Sequence, residues 1–167
     1  GEPAGDQGEA VMESQRLELI DTVRTAATEA DSEAVLLRTV IELIDGFSDG
    51  YNWTGFYMMQ GSHLEVGPYI GEETEHVKIE LNRGICGAAA SQKTTVTVDD
   101  VQSDSRFIAC SLSTRSEIVV PLMDGDTVLG EIDIDSDQPA FFTDQDKLML
   151  EEIAALVVDR LRRIRSL

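Results

Sequence analysis

Apolar residues recur at helical spacing through MESQRLELIDTVRTAATEA, at Leu17, Ile20, Val23, Ala27 and Ala30, which predicts a helix with Ser14 as its N-cap. After Asp31, Ser32 is placed to cap a second helix, SEAVLLRTVIELIDGF. Its predicted apolar stripe is Val35, Leu36, Thr39, Val40, Leu43 and Ile44, and Gly46 stands near its end. From Asn52 the pattern changes to strand: NWTGFYMMQ and HLEVGPYI read as a hairpin about Gly61-Ser62. A short strand in VKIEL, a small-residue helix from Gly84 to Gln92 and the alternating TTVTV follow, and then the irregular DDVQSDSRF. SEIVVPLM and TVLGEIDID form a second predicted hairpin about Asp124-Gly125. The chain ends in one long amphipathic helix, with Thr143 as N-cap, Asp144 and Asp146 at its positive end and arginines at its negative end.

This order predicts an α+β fold in which a mostly antiparallel sheet is covered on one face by the N- and C-terminal helices. Residues 14–167 are expected to form a single domain of a size that buries its own core. Residues 1–13, low in apolar residues, are expected to be a disordered leader. GEPAGDQGEAVMES has neither a basic start nor an apolar run and does not read as a secretory signal.

Composition narrows the class. Lys and Arg number 13 against 32 Asp and Glu, a formal net charge of −19, and only Lys78, Lys93 and Lys147 are lysines. Such an excess repels itself at low salt and is screened at high salt, so a salt-adapted, halophilic cytoplasm is the expected setting, with an acidic partner-binding face as the alternative. Nucleic-acid binding requires a basic surface and is not expected. No apolar run reaches the length of a membrane span, so no membrane partner is expected either. Two cysteines, Cys86 and Cys110, make no disulfide framework and read as core residues or as a reactive pair.

Three features carry candidate chemistry. Glu131, Asp133 and Asp135 alternate with Ile132 and Ile134, so period two puts the carboxyls on one face and the isoleucines on the other. That face is either solvated or the wall of a pocket for a cationic group such as an ammonium; shared carboxylates there would raise one another's pKa. Glu117 begins the apolar IVVPL and is either a paired structural ion or a site acid. Trp53 and Tyr57, four apart on a strand, share a face, which is core or an aromatic ligand wall. A zinc set of Cys86, Cys110, His63 and His76 lacks the usual ligand spacing, and no metal is expected.

Together, YNWTGFY (51–57), NRGICGA (82–88), Asp100-Val101, FIACSLSTRSEIVVPL (107–122) and GEIDIDS (130–136) resemble the GAF domain family, and within it the free methionine-(R)-sulfoxide reductases. The resemblance implies a GAF fold with a ligand pocket on the sheet face opposite the helices. It implies reduction of free L-methionine (R)-sulfoxide, with Cys110 attacking the sulfoxide sulfur to give a sulfenic acid. In this reading Glu117 and Asp133 assist proton transfer, and Asp133, Asp135 and Glu117 hold the ammonium. Asp100 joins them, and Trp53 and Tyr57 wall the thioether end. The slot of the family's usual resolving cysteine holds His76, which leaves Cys86 as the in-chain partner of Cys110. No bound cofactor is implied; a thioredoxin-like protein supplies the electrons, and a homodimer is expected. The alternatives are a GAF ligand-binding or redox-sensing module without efficient turnover, and a structural dimerisation unit.

Overall fold

The computed structural model describes residues 4–107 and 113–166. Six strands form one sheet, β1 (Trp53–Gln60), β2 (His63–Ile70), β3 (Lys78–Glu80), β4 (Val96–Val98), β5 (Ser116–Asp124) and β6 (Thr127–Ser136), in the order β3-β2-β1-β6-β5-β4. Every pairing is antiparallel. Helices α2 (Glu33–Asp45) and α4 (Asp144–Ser166) cover one face, with α1 (Ala4–Glu29) packed against both of them, and α3 (Gly84–Gln92) lies on the other. The two hairpins turn at Gly61 and Gly125, whose φ values of 66° and 60° lie in the left-handed region that glycine enters without a Cβ clash.

Strand alternation sorts the core into two layers. Phe56 and Met58 on β1, Ile118, Val120 and Leu122 on β5, and Ile132 and Ile134 on β6 form the core beneath α2 and α4. Trp53, Tyr57 and Val119 point the other way, onto Ile85, Cys86, Ala89 and Ala90 of α3. The small side chains of α3 let it lie close to the sheet.

The helix ends follow their caps. Ser32 Oγ accepts from Val35 N at 3.2 Å and starts α2. At α4, Thr143 Oγ1 accepts from Asp146 N at 3.2 Å, while Asp146 Oδ2 accepts from Thr143 N at 2.9 Å, a reciprocal capping box. Arg160 of α4 donates twice to Ala30 O, at 2.9 and 2.7 Å, and so closes the C-terminal end of α1.

Three expectations need correction. The first helix does not start at a Ser14 cap: α1 begins at Ala4, ten residues earlier, extending a helix already nucleated by its packed half. Leu17 is 54% exposed, and Leu19, about 200° further round the helix, lies in the core instead. In α2, Val35 is exposed and Thr39 only half-buried, while Leu37 and Ile41 are buried with Leu36, Val40 and Ile44. With sheet beneath and α4 alongside, the buried face of α2 is wider and rotated from the predicted stripe.

Candidate active site

The sheet register gathers the acids. On β6, Asp135 is paired with Trp53 of β1 and Glu117 of β5, Asp133 with Gly55 and Val119, and Glu131 with Tyr57 and Pro121. All three β6 acids and Glu117 therefore share the sheet face under α3. They are nearly closed from solvent, with exposures of 0% for Glu131, 5% for Asp133 and 6% for Asp135 and Glu117. A cavity of about 190 Å³ opens beside them, lined deep inside by Tyr57, Cys86, Glu117 and Asp133, and at its mouth by Lys78, Glu80 and Arg83. A second depression, lined by Trp53, Asp135, Glu72, Glu73 and Thr114, lies at the other end of the acid row.

Cys86, in the first turn of α3, donates its thiol to Asp133 Oδ2 at 3.3 Å. Burial pushes the Cys86 pKa up, and the neighbouring Asp133, Glu131 and Glu117 push it further. The same causes act on the acids. Burial raises Glu117 well above an ordinary carboxylate, with Asp133 and Asp135 adding to the rise. Burial also raises Asp135 and Glu131, each helped by Asp133. Asp133 is raised by burial too, and hydrogen bonds with Glu117 and Cys86 oppose the rise. Among the described residues, Oδ1 of Asp133 and of Asp135 has no hydrogen-bond partner, and Glu131 is met only by the Cys86 thiol. Buried acids left in this way stay protonated or await a ligand.

The aromatic wall stands opposite. Trp53 stacks on Tyr57 and Tyr69, with centroids 6.0 and 5.2 Å away. Gly55 makes the stack fit: a Cβ there would lie 2.5 Å from the Trp53 ring and 2.7 Å from Tyr69 Cβ. The polar ends of both rings fasten the segment between β2 and β3, Trp53 Nε1 donating to Glu72 O at 3.0 Å and Tyr57 Oη to His76 O at 3.1 Å.

The structure thus brings Cys86, Glu117, Asp133, Asp135, Trp53 and Tyr57 to one sheet face. It does not bring Asp100 there. That residue is exposed and caps the short turn Val101–Ser103, accepting from Gln102 N at 3.1 Å and Ser103 Oγ at 2.8 Å. Cys110 lies outside the described residues. Of the histidines weighed as metal ligands, His63 pairs with exposed Glu65 on β2, away from His76 at the cavity.

A GAF domain model matches residues 18–161. The chain belongs to the GAF domain family. Within the family it is 35% identical over 129 residues to the free methionine-R-sulfoxide reductase of Escherichia coli, covering 77% of each chain. It is 43% identical over 110 residues to the protein of that name from Saccharomyces cerevisiae, covering 64% of this chain and 61% of that one. The structure superposes with a TM-score of 0.86 on the free methionine-R-sulfoxide reductase of Neisseria meningitidis in complex with its substrate. There the identity is 30% and 90% of each chain is covered.

Tyr69, Gly55 and Glu131 are the site features that sequence reasoning did not select as site residues. Gly55, inside a strand of aromatic residues, carried a readable signal of close approach. Tyr69 did not: the unbroken hairpin register would set Pro68 opposite Gly55. A register shift between Gly55 and Tyr57 brings Tyr69 there instead, and Pro68, lacking an N–H, is a residue that such irregularities accommodate.

Proposed function

We propose that this protein reduces free L-methionine (R)-sulfoxide to methionine with thiol electrons. The observation that carries the reading is one sheet face on which four buried acids, an aromatic stack and a cysteine meet, with Tyr57, Cys86, Glu117 and Asp133 of that set lining a small cavity. Two relatives similar over most of the chain, from Escherichia coli and Neisseria meningitidis, carry the name of that activity.

The acids supply two things the reaction needs. Like charges in one dry cavity cannot all ionise, so the set holds protons and negative charge together. An ionised member, Asp133 foremost, pairs with the ammonium of a free amino acid. A protonated member, Glu117, donates to the sulfoxide oxygen and makes the sulfur electrophilic. Trp53 and Tyr57 give the thioether end an apolar wall. Cys110 is the nucleophile: its thiol takes the sulfoxide oxygen, becoming a sulfenic acid as the sulfide leaves as methionine. A second thiol condenses with the sulfenic acid, releasing water and forming a disulfide. A thioredoxin-class dithiol then reduces the disulfide and is itself oxidised. In this reading Cys86, protonated and held on Asp133, is the in-chain candidate for the second thiol. Asp133 takes its proton when it ionises.

The test is NADPH oxidation coupled through thioredoxin and thioredoxin reductase, with free methionine (R)-sulfoxide as substrate. The parent protein should turn over, and Cys110→Ser should not. Binding of the sulfoxide without turnover would instead mark a GAF ligand-binding module.

A further inference from the structure

We propose that Cys86, Asp133 and Glu117 form a binding site for a zinc-class divalent cation. One sulfur and one oxygen from each acid lie within 4.8 Å of one another, all three side chains are buried, and all three line the cavity beneath α3. One pair already has nearly the separation a metal needs. Cys86 Sγ and Asp133 Oδ2 are 3.3 Å apart. Zinc bonds of about 2.3 Å to sulfur and 2.0 Å to oxygen, at a tetrahedral angle, set these atoms about 3.5 Å apart. A Glu117 oxygen lies within 4.8 Å of both atoms and is the third ligand.

A second observation points to a ligand. Asp133 is 5% exposed and lines the cavity, yet its Oδ1 lacks a hydrogen-bond partner among the described residues, and the fully buried Glu131 adds a further carboxyl beside Cys86. Native cores rarely leave carboxyl oxygens so, and a cation within reach would satisfy them. The negative surroundings that oppose thiolate formation at Cys86 are the surroundings that favour a dication, which binds the thiolate as the proton leaves. Thiolate and carboxylate together suit zinc and cobalt(II) better than magnesium or calcium, which take oxygen ligands alone. The site rests on this geometry and not on the reductase reading.

Titration of the reduced protein with cobalt(II) tests it. A thiolate-to-cobalt charge-transfer band should rise in the near ultraviolet, saturate at about one equivalent and be abolished by zinc. Cys110→Ser should keep the band and Cys86→Ser should lose it. Glu117→Gln, close in shape and safe for the fold, should weaken cobalt binding by at least about tenfold. No band in the parent protein, a band lost in Cys110→Ser and kept in Cys86→Ser, or unchanged affinity in Glu117→Gln would each overturn the site.

Discussion

On β6, Ile132 and Ile134 point toward α2 and α4, while Glu131, Asp133 and Asp135, one residue away, point into the space beside α3. Both rows are buried, but they act on folding in opposite senses. Each isoleucine contributes about 1.5–3 kcal/mol by leaving water. Each acid has lost its hydration and found few partners, which favours its neutral form and reduces stability at neutral pH. One strand therefore joins a face that holds the fold together to a face whose unmet polar groups are available to a ligand.

The largest effect that would sharpen this contrast is on the apolar side. Ile132→Ala should lower unfolding free energy by about 2–5 kcal/mol in urea titrations, since the site is fully packed. A loss below about 1 kcal/mol would show that the helix-covered face is less tightly packed than described. On the other face, Gly55→Ala should destabilise by about 1–3 kcal/mol, because the new methyl displaces the Trp53 ring or Tyr69. Trp53 is the single tryptophan in the chain, so its emission maximum should shift in the same variant; an unchanged spectrum would contradict the stacked wall.

A smaller effect concerns protons. The four acids have folded pKa values above their ordinary values of 3.8 and 4.5. Above about pH 4 the folded protein therefore holds more protons than the unfolded chain. This contribution to stability is complete below the unfolded values and is lost as pH rises through the raised ones. Glu131→Gln removes one such group. Its unfolding free energy from urea titrations should fall less steeply with pH than the parent's, by up to about 1.4 kcal/mol per pH unit. Parallel pH profiles would show that Glu131 is ionised in the folded protein.

The same contrast explains what could be read from the chain. Alternation in EIDIDS separated the acids from the isoleucines before any coordinates, because period two is a local property. The destination of the acid row was not local. Whether it met solvent or a cavity depended on α3 packing above it and on the pairing of Glu117 with Asp135 across β5 and β6. Ser32 and Thr143 were legible as caps because capping involves only the next three residues. Leu17 was not legible as exposed, because a helical stripe alone leaves its rotation against the sheet undetermined. Asp100 has the residue type of a site acid, yet its own turn satisfies both its oxygens.

The most direct measurement of the central claim is calorimetric titration of the reduced protein with free methionine (R)-sulfoxide and with its N-acetyl derivative. If the acid row recognises the ammonium, the free amino acid should bind and the acetylated one should bind at least about 30-fold more weakly, the equivalent of roughly 2 kcal/mol for a buried charge contact. Equal affinity for the two, or no binding of either, would contradict it.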